Sequence, residues 1–384
     1  MWLKPYAIIK EGSVKPGHEV YFEDGIIKEI RPYTSSPDPY ILSPAFVNAH
    51  SHLEYRGLQD AISEASYWPW IRELTSRKFL QDVQQVRLDT ILAAMENRQT
   101  GVALIGEWSD RPYAGEAMTK AGLKGILYQE VLTVPFANGE SAEEMLGLIH
   151  QKKRNRNEQH YNETIFWAPH APYTVHSEML AFLARQGQPL SIHVAETELE
   201  DQFFLGKGGP IADFCTKYQF PLKPTGTRTF EYLEQLGLVK KGVQFVHCCA
   251  LLTQDVECMA KAGVTVAHCA RSNKRLGCPI APVREMLDAG ILVGLGLDSP
   301  ASGGSPDMFA EMRAVLELSE TRKALLYPEE IWKMATIMGA KTLGQQDWDI
   351  KEGAHLPLIQ IWQSEIRSTK ELIYKGSPEK VSWV

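Results

Sequence analysis

Eight short apolar stretches rich in β-branched residues recur along the chain, each running into polar or turn residues. They are ILSPAFVNAH (41–50), GVALIGEWSD (101–110), LKGILYQEVL (123–132), TIFWAPHAPY (164–173), LSIHVAETE (190–198), VQFVHCCALL (243–252), VTVAHCARSN (264–273) and ILVGLGLDSP (291–300). Most are separated by segments with helical spacing of apolar positions, such as SEMLAFLARQG (177–187), TQDVECMAKAG (253–263) and PVREMLDAG (282–290), whose closing glycines read as helix stops. Strands buried on both faces and alternating with helices, eight in number, predict an α/β chain folded as a (β/α)8 TIM barrel. A doubly wound open sheet uses the same alternation and is the competing reading. The long connection 53–100 contains ASYWPWIRELTSRKFL, which predicts an aromatic-rich helix lying over the barrel mouth.

Outside this repeat, residues 1–40 alternate turns and short strands, and so does WDIKEGAHLPLIQIWQSE from residue 347. The pattern predicts two domains: a small β-sandwich built from 1–43 with 347–384, and a barrel over 44–346.

Composition narrows the function classes. With 44% hydrophobic and 23% charged residues over 384 positions, the chain can bury a large core. A formal net charge of −7 and the lack of a basic stripe argue against a nucleic-acid partner. QKKRNRNEQH (151–160), the densest basic run, is broken by Glu and Asn and reads as a solvated helix end and loop. No apolar run approaches the roughly 18 residues of a membrane helix, and MWLKPYAIIKEGS lacks the features of a secretory signal. The six cysteines, at 215, 248, 249, 258, 269 and 278, show no CxxC, which suits reduced thiols in a cytoplasmic protein.

Chemistry concentrates at one end of the predicted strands. Their C-terminal ends carry His50, His52, Glu107, Glu130, His170, His193, Glu196, His247, His268 and Asp298, so six of the eleven histidines sit where a barrel keeps its active site. His50 and His52 are two apart on a strand and face one way. With His193 and Asp298 they make an N3O donor set that suits zinc, with iron or manganese as alternatives. An ordinary strand with polar tips, core histidines, a helix N-terminal role for Glu196 and strand-end ion pairs for Glu107 and Glu130 are the bland readings. His150, His160, His176 and His355 lie off the strand ends and read as surface or loop residues. Trp68 and Trp70 read equally as core or as a substrate lid.

PAFVNAHSHLEYRGL, HAPYTVH, SIHVAETELE, VHCCALL, AHCARSNKRLG and GLGLDSPASGGSPDMFAEMR, in this order, resemble the successive motifs of the amidohydrolase superfamily. The branch they resemble contains cytosine, guanine and adenosine-type deaminases and triazine hydrolases, and the likeness covers nearly the whole chain. It implies a metal-dependent hydrolase with His50, His52, His193 and Asp298 as metal ligands and Glu196 with His247 as the proton-handling pair. It also implies a substrate-facing His170, and a loop-shaping role for His268 with Arg271, Ser272 and Asn273. Binuclear members carry a carboxylated Lys at the end of the fourth strand; here that strand ends FWAPHAPY, so one divalent metal ion, zinc or iron, is implied.

Such a set permits hydrolytic deamination. A coordinated divalent ion lowers the pKa of bound water to about seven. Asp298 accepts the proton, His247 holds the nucleophile or polarises the departing group, and Glu196 protonates a ring nitrogen as ammonia leaves. Glu107, Glu130, His170 and Trp70 are the candidate substrate contacts. Relatives acting on methylthioadenosine and adenosylhomocysteine carry a ribose-gripping Glu in the loop after the first strand and an Arg near the third. Neither has a clear counterpart in WIRELTSRKF or LYQEVL. YQEVL, HVAETELEDQFFLGKGGPIADF and TGTRTFEYLEQLGLV look more like the aminodeoxyfutalosine deaminase branch, which serves an alternative menaquinone route. The expected substrate is therefore a 6-aminopurine nucleoside of the aminodeoxyfutalosine, adenosine or methylthioadenosine type, with a homodimer left open. Alternatives are a triazine-type C–N or C–Cl hydrolase on the same site, a guanine- or cytosine-type deaminase, and a non-catalytic relative that keeps the barrel for assembly.

Overall fold

The computed structural model describes residues 1–134, 142–158, 164–363 and 365–384. Eight parallel strands follow one another in strict sequence order: β7 (Phe46–Ser51), β8 (Val102–Ser109), β9 (Lys124–Val131), β10 (Thr164–Pro169), β11 (Leu190–Val194), β12 (Val243–His247), β13 (Thr265–His268) and β14 (Val293–Leu295). The last meets the first. Asp298 N–H donates to His50 O at 3.0 Å, and Leu297 N–H donates to the Asn48 side-chain oxygen at 2.8 Å. This closure makes a (β/α)8 barrel and excludes the doubly wound sheet, which would leave β7 and β14 as separated edges.

The remaining strands come from the chain ends. β1 (Trp2–Leu3), β4 (His18–Glu23) and β5 (Ile26–Pro32) form one sheet. β2 (Pro5–Lys10), β3 (Ser13–Pro16), β6 (Asp38–Pro44), β15 (Leu358–Ile361) and β16 (Val381–Trp383) form the other. Ile8, Val20, Ile27, Leu42, Ile350 and Leu356 fill a core separate from that of the barrel. One predicted stretch divides here: residues 41–44 belong to β6, and the barrel strand starts at Phe46. Pro44 has no N–H to offer a sheet ladder, so the chain changes sheets across it. Residues 369–375 form a helix, which the alternating pattern of the C-terminal segment does not reveal.

Predicted helices lie close to their expected places, at Ser177–Arg185, Thr253–Ala262 and Val283–Asp288. The first buries Met179, Leu180, Leu183 and Ala184, a one-sided stripe at helical spacing. Gly263, with φ +74°, ends the second in a left-handed turn that an L side chain rarely adopts. Helix α1 (Tyr67–Lys78) is the aromatic element predicted over the mouth, and α2 (Val83–Gln99) follows, with the Asp82 carboxylate accepting Gln85 N–H at 2.9 Å. Residues Gln151–Glu158 of the basic run continue a helix from Ala142, whereas His160 lies outside the described residues. All six cysteines are free. Among the described residues no helix is long and apolar enough to cross a membrane.

Inside the barrel, Ala49, Trp108, Tyr128, Ala168, Val246 and Ala267 make an internal layer. Complete burial of a large apolar side chain of this kind contributes roughly 1.5–3 kcal/mol. The Trp108 ring lies 4.3 Å from the His193 ring and 5.1 Å from that of His50, so it supports the histidines from beside and below. Small residues make the room: a Cβ on Gly296 would stand 2.9 Å from the His50 Cβ and 2.8 Å from Cys269 Sγ.

Candidate metal centre and active site

The parallel register brings the strand-end side chains together, with His193 opposite Val246 and Val194 opposite His247. At the strand ends the backbone turns sharply. Ala195, His247, Cys248 and Asp298 take φ between +48° and +69°. Non-glycine residues adopt this region at a cost of about 1–3 kcal/mol each, and such strain gathers where side chains must be aimed. Here it stands at the exits of β11, β12 and β14 and brings Glu196, His247 and Asp298 to one cavity.

His50, His52 and His193 are buried, and one nitrogen of each lies within 4.8 Å of the others. His50 Nε2 is 3.3 Å from His193 Nε2, while Asp298 Oδ1 lies 3.7 Å from His50 Nε2 and 3.9 Å from His52 Nε2. His193 Nδ1 donates to His170 O at 2.8 Å, which leaves the Nε2 lone pair directed at this cluster. Burial, reinforced by the neighbouring imidazoles, holds His50 and His193 well below the usual histidine range, and burial takes His52 down to about 4. Three imidazole nitrogens thus converge with a carboxylate oxygen at one point. The donor set therefore fits a divalent ion with N and O preference.

Asp298 is held on its outer side. Its Oδ1 accepts Ser299 N–H at 2.7 Å, and its Oδ2 accepts the Ser302 hydroxyl at 3.1 Å. Glu196 Oε1 lies 3.6 Å from His247 Nε2, and His247 Nδ1 donates to Asn273 Oδ1 at 2.8 Å. Burial raises the Glu196 carboxyl above its ordinary range, against the pull of His247 and a hydrogen bond from Tyr67. Glu196 is not part of the helix that follows, which begins at Glu198. The carboxylate that takes the local backbone amides is Glu200, which accepts Ala195 N–H at 3.1 Å and Glu196 N–H at 2.9 Å. Glu200, Tyr67 and Ser302 escape sequence reasoning; the only signal is an i, i+4 pair of glutamates within ETELE.

The same cavity is lined by His52, His170, His193, Glu196, His247 and Asp298, with Glu130 on β9 and Trp70 of α1 also in its wall. Burial drives Glu130 up to about 7 and His170 down to about 3. Trp68, beside Trp70 in sequence, instead packs against Tyr173 and Phe214.

Glu107 stands apart from the other strand-end carboxylates. Its carboxylate accepts the Leu53 N–H at 3.0 Å, fixing the turn that follows His52, and it does not line the cavity. His268, the last residue of β13, is buried outside the cavity lining, with Nδ1 lacking a partner among the described residues. Arg271 donates to Ser305 O at 3.0 Å, and its backbone N–H to Glu311 at 3.1 Å. Ser272 is buried beside Asn273. His150 and His355 are exposed, and His176 is half-buried against Phe220.

Known proteins resemble the chain over its whole length. The 5-methylthioadenosine/S-adenosylhomocysteine deaminase of Pyrococcus furiosus is 29% identical over 394 aligned positions, spanning 92% of this chain and 86% of that protein. An adenosine deaminase from Xanthomonas campestris, solved with bound zinc, shares the fold with a TM-score of 0.82 at 22% identity, covering 99% of this chain and 90% of that one. Helicobacter pylori aminofutalosine deaminase in complex with methylthio-coformycin does so with a TM-score of 0.81 at 19% identity, covering 99% of each. The description of the amidohydrolase family matches residues 41–348, and the chain belongs to that family.

Proposed function

We propose that the protein is a metal-dependent hydrolytic deaminase of a 6-aminopurine nucleoside, with His50, His52, His193 and Asp298 holding one divalent ion, zinc or iron. The observation that carries this reading is the placement of the buried Glu196–His247 pair in the same cavity as the converging histidines and Asp298. Deaminase relatives at full-length similarity support the reaction class.

When bound, the ion supplies positive charge that makes a water acidic near neutrality. Asp298, anchored by Ser299 and Ser302, takes one proton from the water as its oxygen adds to C6 of the purine. Glu196, whose carboxyl is raised by burial, gives its proton to N1, so that no anion develops on the ring. His247 keeps its proton on Nδ1 through Asn273 and presents Nε2 as the acceptor that orients the water. The proton held by Asp298 then passes to the amino group, the C6–N bond breaks, and ammonia leaves. Glu196 recovers its proton from the hydroxyl formed at C6, which leaves a 6-oxopurine.

Within this class we favour an aminodeoxyfutalosine-type nucleoside and a cytoplasmic site of action, on the motif likeness of YQEVL and its neighbours. The test is ammonia release by protein loaded separately with zinc and ferrous iron, given adenosine, methylthioadenosine and aminodeoxyfutalosine in parallel. Turnover of at least one is expected. Ammonia from none, with alkylamine or chloride released from a triazine instead, overturns the reading in favour of a triazine-type hydrolase.

A further inference from the structure

One group on the cavity wall is not used by this chemistry. Glu130 is 3% exposed, and among the described residues no donor reaches its carboxylate at hydrogen-bond distance. Lys78 Nζ is the nearest cation, 3.9 Å away, and neutral His170 Nε2 lies at 4.0 Å. Lys78 is committed elsewhere: it donates to the Tyr55 hydroxyl at 2.8 Å and stands 3.6 Å from Glu54. Glu54 is itself satisfied, accepting the Ser109 hydroxyl at 2.7 Å and the Arg111 N–H at 3.1 Å. One ammonium thus serves two carboxylates, and only one of them is hydrogen-bonded by the protein. The Glu130 carboxylate lines the cavity, where water or a bound ligand supplies the donors that the protein does not.

The position of Glu130 says which part of a ligand does so. It stands on β9, two strands from β11, which leads to Glu196, and three from β14, which leads to Asp298. A purine whose N1–C6 edge meets those two carboxyl groups turns its N9 substituent, on the far side of the bicycle, towards other parts of the wall. Apart from Glu130 and His170, that wall is formed by Tyr55, Tyr67, Trp70, Ile71, Leu74 and Leu276. A pair of carboxylate oxygens open to the cavity matches the vicinal hydroxyls of a sugar, which donate hydrogen bonds.

Resting on the deaminase reading, we infer that Glu130 is a specificity-determining residue that accepts hydrogen bonds from the vicinal hydroxyls of the substrate ribose. Removing the hydroxyls leaves the carboxylate buried and unpaired in the complex, so discrimination exceeds the loss of a neutral contact.

The experiment compares adenosine, 2′-deoxyadenosine, 3′-deoxyadenosine and 2′,3′-dideoxyadenosine with the metal-loaded wild type and Glu130→Gln. For the wild type, kcat/KM is expected to fall on the order of 10- to 100-fold from adenosine to the dideoxy compound, mainly through KM. In Glu130→Gln that ratio is expected to shrink to within a few-fold, an effect that a general loosening of the fold would not produce. The wild-type series needs no variant, so misfolding of Glu130→Gln leaves the claim open to refutation. Deamination of adenosine and dideoxyadenosine with equal kcat/KM overturns the ribose assignment while leaving the deaminase reading intact. An unchanged ratio in a folded Glu130→Gln removes Glu130 from it. No ammonia from any purine nucleoside overturns the deaminase reading and the ribose assignment together.

Discussion

Asn273 Oδ1 accepts the His247 Nδ1 proton at 2.8 Å, and this one bond decides which nitrogen of His247 faces Glu196. An amide oxygen can only accept, so Nδ1 carries the hydrogen and Nε2 presents its lone pair to the cavity. Replacing Asn273 by Ala frees both tautomers and lets the ring rotate. Loss of such an orienting partner lowers activity about 10- to 100-fold. Asn273→Ala should therefore lose kcat on that scale while metal content, measured by elemental analysis, stays at the wild-type level. Asn273→Asp, which also accepts, should recover much of the loss. Wild-type kcat in Asn273→Ala would separate His247 from the chemistry.

Glu196 is raised by burial and lies beside the donor cluster without being one of its converging nitrogens. Glu196→Gln preserves shape and hydrogen bonding but has no proton to give. The expected outcome is a fall in kcat of about 10²- to 10⁴-fold with metal stoichiometry and thermal midpoint retained. Since the wild-type group must be protonated to act, kcat/KM should decline on the alkaline side of its raised pKa. A variant that turns over at near wild-type rate would move the proton donor elsewhere.

The ligand set makes a prediction that does not depend on substrate. Chelation of the metal-loaded protein leaves His50, His52 and His193 converging with nothing between them, so the folded state loses the binding free energy. At a metal concentration 100 times Kd that is about 2.7 kcal/mol. The thermal midpoint should drop on chelation and return when zinc or ferrous iron is restored. His193→Ala and Asp298→Ala should lower metal stoichiometry as well as rate, and should show a smaller chelation shift than the wild type. Equal stoichiometry and an equal shift in His193→Ala would strike that histidine from the set.

How much of this was legible beforehand differs by the range of the interaction. His50 and His52 could be paired from spacing alone, because a two-residue step on a strand fixes their common face. The barrel followed from eight apolar runs, since each must be covered on both sides. Sequence leaves Glu107 open between a substrate contact and a strand-end partner, because a strand-end position does not say whether a carboxylate turns into the cavity or back to a backbone amide; here it accepts Leu53 N–H. The split of ILSPAFVNAH across Pro44 was available locally, yet periodicity cannot tell one strand from two consecutive strands in different sheets. Glu200 and Ser302 support Glu196 and Asp298 through contacts set by the turns after β11 and β14. Those turns use left-handed residues that are not glycine, at Ala195 and Asp298, and so leave no compositional mark.

His268 offers a pH test at the buried end of β13. Its ring is buried, Nδ1 has no partner among the described residues, and burial carries its pKa from 6.5 down to about 4. Between those values an unfolded chain binds a proton at this position and the folded chain does not. The stability it contributes is thus present above about pH 6.5 and is lost as pH falls towards 4, at about 1.4 kcal/mol per pH unit. Other buried histidines and raised carboxyls titrate in the same window, so the absolute curve mixes several groups, and the useful quantity is a difference. His268→Gln removes this one titration and keeps a polar side chain of similar reach. From pH 6.5 to 5 the wild type should lose about 2 kcal/mol more than His268→Gln, read from urea midpoints at matched metal loading. Parallel curves for the two proteins would mean that His268 takes up its proton in the folded state and that its surroundings admit the charge.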